Sequence, residues 1–219
     1  MRIRAKVYGV NMASPKRPKP PVRAAYHHGH LREAILEAGL AQLEKSADEP
    51  LSLRELARQV GVAANAVYRH FAGKEQLLVA LAAEGFRRLR AAQDRAMRDT
   101  RDPIDAMKRS GAAYIRFARA NPALFRLMFG RFTSSQKDPE LTGAVRESFQ
   151  QLCAAVAAAS RCAIGDPSVP VRALHALALV HGLSHLHLEG QFGALVDEAD
   201  AMTESVLQYA AHLRARRTP

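Results

Sequence analysis

Between Leu31 and Leu43 the apolar residues Ile35, Leu36, Leu40 and Leu43 return at helical intervals, and Arg32, Glu33, Glu37 and Glu44 take the polar positions. That spacing predicts a helix with one buried face. A shorter run repeats it: Leu53, Leu56, Ala57 and Val60 fall at i, i+3, i+4 and i+7, with Arg54, Glu55, Arg58 and Gln59 on the other side. Ser52 and Glu55 have the spacing of a capping box, which starts this helix at Leu53. Gly61 supplies the backbone freedom that ends it. After a turn opened by Val62, Val67 and Phe71 stand four apart as inward anchors of a third helix, and Ala64, Asn65, Tyr68 and Arg69 face outward. Two short helices joined by a tight Gly-containing turn form a helix-turn-helix, which places its second helix in the DNA major groove.

Downstream, proline punctuates the pattern. A long helix runs from Lys74 to Met97; Pro103 opens the next, to Asn121; Pro122 opens a short one ending near Gly130; Pro139 precedes another reaching Cys162. Proline suits a first helical turn because its missing N–H would be unpaired there anyway. Residues 168–190 are apolar nearly all round (Val171, Leu174, Leu177, Leu179, Val180, Leu183, Leu186, Leu188). Both faces are therefore expected to be buried, one on the chain's own domain and one on a partner. Val196, Ala199, Thr203, Val206, Ala210 and Leu213 alternate by three and four, a bundle-type seam. No strand pattern or internal repeat interrupts this. The expected fold is all-α, with an N-terminal three-helix domain holding the helix-turn-helix, a larger helical ligand-binding and dimerisation domain, and about nine helices in all.

Charge sharpens the picture through its distribution. The chain of 219 residues has a formal charge of +11, and residues 1–29 carry Arg2, Arg4, Lys6, Lys16, Arg17, Lys19 and Arg23 with no acid. A net cation of this size favours a polyanionic partner. Pro15, Pro18, Pro20 and Pro21 among those cations predict a disordered basic arm over 1–25, ahead of a DNA-binding domain over 26–73 and a helical domain over 74–215. Lys16, Arg17, Lys19 and Arg23 suit phosphate contacts. A solvated tail fits the same composition, as does a start at Met12. There is no apolar leader-type run and no stretch of about 18 apolar residues, so no membrane partner is expected and the expected location is cytoplasmic. Cys153 and Cys162, nine apart without a Cys-x-x-Cys pair, are expected as reduced core thiols.

These motifs together resemble the TetR family of transcriptional repressors. Gly61-Val62, Tyr68, His70-Phe71 and Lys74-Glu75 with Leu77-Leu78 fall where that family has its Gly-Val, Tyr-x-His-Phe and Lys-Glu-x-Leu elements. Tyr26-His27-His28-Gly29-His30-Leu31-Arg32 resembles the lead into the first helix in one branch, and Ala63 departs from the Ser or Thr of many relatives. The resemblance implies a homodimer through residues 168–214 that reads a palindromic double-stranded DNA operator, its recognition helices about 34 to 36 Å apart. By position it assigns DNA contact to Arg54, Ala64, Asn65, Ala66, Tyr68, Arg69, His70 and Lys74. Chemistry sorts them further: Asn65 and Arg69 can bond bases, Ala64 or Ala66 can meet a thymine methyl, and Tyr68 and Lys74 suit phosphate. Packing for Tyr68, bracing of the helix end for His70 and a solvated face for Arg54 are the plainer alternatives.

The residues Ala120 to Gly130, with His181-Gly182, resemble the effector domain of the same branch, in which Trp usually stands where this chain has Val180. Tyr114, Phe117, Phe125, Phe129, Phe132 and Phe149, with Met128, concentrate aromatic and soft apolar side chains in the middle helices of a chain that has no Trp. They suit either an apolar pocket for an unidentified small-molecule effector or ordinary core. Cys153, His181 and His185 complete the candidate wall. His181 and His185 lie one turn apart with Glu189 a turn beyond, but two ligands are not a metal site, so no metal and no cofactor are expected. Catalysis is not expected either: there is no Gly-x-Ser-x-Gly or phosphate loop, and Ser184 and His185 point apart as helical neighbours. The function expected is a repressor released from its operator by a ligand, pivoting at Gly73 and Lys74. The alternative is a helical dimer acting through protein contacts or non-specific DNA binding.

Overall fold

A computed structural model describes residues 30–45, 51–134, 137–191 and Glu204, Ser205, Leu207 and Gln208. The basic arm with Lys16, Arg17, Lys19 and Arg23, the histidines His27 and His28, and the seam from Val196 to Leu213 lie outside the described residues. Among those described there is no strand. The helices are α1 (Leu31–Lys45), α2 (Leu53–Val60), α3 (Ala64–Tyr68), α4 (Lys74–Met97), α5 (Pro103–Ala120), α6 (Pro122–Phe129), α7 (Arg131–Ser134), α8 (Pro139–Ala159) and α9 (Ser168–Leu188).

The starts follow the local chemistry. Asp102 and Asp138 each accept backbone N–H groups ahead of Pro103 and Pro139, the latter from Leu141 at 2.9 Å, so side-chain cap and N1 proline act together. At α2 only half of the capping box forms. The Glu55 N–H points to Ser52 Oγ at 3.4 Å, while the Glu55 carboxylate turns outward to Arg58 and Gln59. The turn helix α7 was not foreshadowed by the apolar spacing. α8 stops at Ala159 rather than continuing to Cys162, because Arg161 adopts φ 53° and the Cys162 N–H closes back on the Ala157 carbonyl at 3.1 Å.

One continuous apolar core runs from Leu31, Ile35, Leu56 and Val67 in the first three helices, through Leu77 and Leu81 of α4, to Phe125, Tyr114 and Leu183. The step from α4 to α6 is close: a Cβ at Gly85 would sit 2.6 Å from Met128 Sδ. Polar ties reinforce it. Glu44 of α1 accepts the Leu124 N–H at 2.8 Å and the Ala123 N–H at 3.3 Å, capping α6 from another helix. Glu140, in the first turn of α8, bonds Arg32 of α1 at 2.6 Å and Arg87 of α4 at 2.7 Å, and Arg88 pairs with Glu37. The first helix is thus bolted to the beginnings of α6 and α8.

α9 buries Val169, Ala173, Ala176, Val180, Leu183 and Ser184 against its own chain. Its other face is open: Val171 and Leu174 are each 54% exposed, and Ala178 and Gly182 follow along the same side.

Candidate nucleic-acid interface and effector cavity

Gly61 sits at φ 76°, in the left-handed region, and the Val62 N–H returns to the Ala57 carbonyl at 2.9 Å, turning the chain sharply out of α2. Ala63, extended at φ −66° and ψ 145°, then opens α3 without a side-chain cap. Replacing Ala63 with Ser should stabilise the fold by about 0.5 to 1 kcal/mol by capping one free N–H. A higher urea midpoint at unchanged slope would record it.

α3 is held from below by Val67 and Phe71, both essentially fully buried, and the His70 and Phe71 N–H groups still bond the Val67 carbonyl beyond the helix end. Asn65, Tyr68, Arg69 and His70 are exposed around that pin, with Arg54 and Lys74 exposed beside it. Ala64 and Ala66 are half-buried against the core, so they face outward less fully than their spacing suggested. Among the described residues no carboxylate pairs with Arg54, Arg69 or Lys74. Arg58, by contrast, donates to both oxygens of Glu55 at 2.6 and 2.9 Å, and that hydrogen-bonded guanidinium, helped by Gln59, holds the Glu55 carboxyl down at about 2. The charge of Arg58 is spent within α2, whereas those of Arg54, Arg69 and Lys74 remain available.

A cavity of about 640 Å³ lies between α4, α5, α6, α8 and α9, with Leu207 closing one side. This is within the usual size range of ligand sites. Of the residues expected at its wall, Tyr114, Met128, Phe129 and Phe149 are there. Phe117, Phe125, Cys153, His181 and His185 do not line it. Phe117 and Phe125 are buried in the core, Phe125 standing edge-on to Tyr114 at 5.7 Å. Cys153 packs with Val156, Ala157, Val169 and Ala173 in a second cluster, where burial pushes its thiol up.

The two histidines stand behind the wall. The Tyr114 hydroxyl and His181 Nδ1 share a hydrogen bond of 2.9 Å, and His181 Nε2 meets His185 Nε2 at 3.2 Å. The chain Tyr114–His181–His185 therefore leads from the cavity to the exposed side of α9. Glu189, a metal-ligand candidate by spacing, turns to Arg126 at 3.3 Å. Burial drives the Tyr114 phenol far above its ordinary range. Burial, with His185 second, lowers His181 below the ordinary 6.5. The unfolded chain then takes up a proton before folded His181 does. Stability from this group is complete above about pH 6.5 and is lost as the pH falls toward the folded-state value. Urea unfolding at about pH 8 and about pH 5 should show a loss on acidification that His181→Gln reduces; an equal loss in the variant would assign the effect elsewhere.

Sequence reasoning missed Gln93 and Ser110, which also line the cavity. Gln93 Nε2 donates to Ser110 Oγ at 3.0 Å, joining α4 to α5, and nothing in local spacing announces that meeting. Phe86, Leu89 and Leu141 were likewise hidden among ordinary core positions.

A pinned helix-turn-helix with unpaired cations at its surface, merged with a hollow helical domain, defines a DNA-binding transcriptional regulator. Two family models agree: residues 35–81 match the bacterial regulatory proteins of the tetR family, and residues 107–209 match the tetracyclin repressor-like C-terminal domain. The chain belongs to the TetR family. It is 34% identical over 101 residues to an HTH-type transcriptional regulator of Mycobacterium tuberculosis, a stretch covering 44% of this chain and only 42% of that protein. A protein of unknown function from Rhodococcus is 32% identical with a TM-score of 0.71, the match covering 89% of this chain and 98% of that one. A TetR variant from Acinetobacter baumannii, solved in complex with minocycline, shares the fold at 19% identity and a TM-score of 0.57, over 84% of this chain and 97% of that one.

Proposed function

We propose that this chain is a sequence-specific repressor that acts in the cytoplasm as a homodimer and leaves a palindromic operator when a small molecule fills the cavity. The observation that carries the reading is the continuity of one core from Val67 and Phe71, beneath the exposed Asn65, Tyr68, Arg69 and Lys74, to Met128 and Phe129 at the cavity wall. Asn65 and Arg69 read bases; Tyr68, His70, Lys74 and Arg54 hold phosphates; Ala64 and Ala66 allow close approach to the groove. The cations of the arm, Lys16, Arg17, Lys19 and Arg23, add phosphate contacts. The partner protomer covers the open face of α9 within the region 168–214.

Release works through the supports of α1. A ligand against Phe129, Met128 or Leu141 displaces α6 and the start of α8, and Glu44 and Arg32 pass that displacement to the first helix. Gly73 and Lys74, where α4 begins, form the hinge. The ligand shifts the dimer away from operator spacing by no more than its differential affinity for the two arrangements.

The test is selection of genomic DNA fragments by the purified protein at about 0.15 M salt, followed by a salt titration on the best fragment. The expected result is a palindromic motif with half-sites one or more helical turns apart. Uniform, steeply salt-dependent binding would instead support a DNA-coating protein without operator recognition.

A further inference from the structure

Resting on the reading of the cavity as an effector site, we infer that its ligand is an amphiphilic anion, an apolar body ending in one carboxylate or phosphate head group. The walls are mostly aromatic and aliphatic, with Phe86, Phe129 and Phe149 contributing rings. Among the described lining residues the charged ones are Lys108 and Arg146, and no Asp or Glu joins them. Lys108 is half-buried and Arg146 exposed, which places both toward the mouth.

The carboxylates of α5 and α8 are committed elsewhere. Asp105, which feels the charge of Lys108, is hydrogen-bonded to Arg109 at 2.8 Å. Glu140 is shared between Arg32 and Arg87, and Glu147 bonds Arg90 at 2.5 Å, so both acids of α8 turn away from Arg146. No ion pair with a described carboxylate occupies Lys108 or Arg146. Deeper inside, Gln93 Nε2 donates to Ser110 Oγ at 3.0 Å, and no charged side chain stands beside that pair among the described lining residues of α4 and α9.

These placements separate ligands by charge. An anion gains charge-assisted hydrogen bonds at the mouth while its body displaces water from apolar wall. A neutral ligand of the same shape gains only the second contribution. A cationic ligand meets like charge from Lys108 and Arg146.

The experiment is calorimetric titration of the full chain, below the micellar range, with dodecanoate, dodecyl phosphate, methyl dodecanoate and dodecylammonium. One anion per protomer should bind at least about tenfold more tightly than the methyl ester (about 1.4 kcal/mol), with the ammonium weakest. The better of the two anions identifies the head group as carboxylate or phosphate. Lys108→Gln with Arg146→Gln should bring the anions to the affinity of the ester and leave the ester unchanged; ester binding at its original affinity shows that the variant is folded.

Equal or tighter binding of the ester or ammonium, an anion preference that survives in the double variant, or no binding by any probe would overturn the inference. Operator affinity measured in the same samples separates this from the effector reading. Anion binding that leaves DNA affinity unchanged keeps the ligand class and removes the effector role. Release driven equally by the ester keeps the effector role and removes the anion class.

Discussion

Leu174→Asp is expected to convert the protein to a folded monomer and to weaken operator binding at least about 100-fold. Leu174 and Val171 are each 54% exposed on the open side of α9, so an aspartate there meets water in the isolated protomer and costs the fold little. In a two-fold interface the same substitution acts twice, because an isologous contact uses the same patch on both protomers. It removes about 1.5 to 3 kcal/mol of side-chain burial on each side and leaves a carboxylate without a partner in an apolar contact. The DNA consequence follows from linkage. In a dimer the second half-site binds intramolecularly at roughly millimolar effective concentration, and a monomer loses that advantage. Sedimentation with a mobility-shift titration decides the matter: a dimer that still binds tightly would place the interface away from Leu174.

The second large effect is expected at α3. Arg69→Ala should cost about 1 to 3 kcal/mol of operator affinity, roughly five- to 150-fold, and relax discrimination at one base pair. Arg69 is exposed, and no described carboxylate pairs with it, so its truncation leaves the fold intact. Tyr68→Phe removes only a hydroxyl from a side chain that is 44% exposed, and should weaken operator binding by a comparable amount through a lost phosphate contact. Lys74→Ala provides the contrast. It should weaken all sequences about equally and reduce the slope of affinity with salt by about one. Arg58→Ala, its charge already held by Glu55, should change little. Titrations at fixed salt against the operator and single-base variants distinguish these outcomes, and full affinity in Arg69→Ala would end its assignment as a base reader.

The helix-turn-helix was legible because the interactions that make it are local. The spacing of Leu53, Leu56, Ala57 and Val60, the left-handed Gly61 and the four-residue step from Val67 to Phe71 all act within one or two turns. The proline-led starts of α5, α6 and α8 were legible for the same reason, since Pro103, Pro122 and Pro139 each determine their own φ and their own missing donor. Even here reach mattered: Glu55 had the spacing for a reciprocal cap, but Arg58 competed successfully for its carboxylate.

The C-terminal helical domain was legible as helices and not as a site. Helical period states which residues turn inward; it does not state what stands opposite. Phe129 and Phe125 both read as either pocket wall or ordinary core, and only the packing of Tyr114 and His181 from other helices buries Phe125 in the core while Phe129 borders the cavity. His181 read as a candidate pocket-wall residue until the 2.9 Å bond to Tyr114, 67 residues away in sequence, placed it behind the wall. By itself, then, the sequence determined the all-α class, the helix-turn-helix and the chemistry of its exposed residues, because caps, periods and prolines work through near neighbours. Tertiary structure alone decided which side chains enclose the cavity, how Gln93 finds Ser110 and how Glu44 caps α6 from 80 residues away, because those contacts depend on which helices lie side by side, and no short-range pattern encodes that choice.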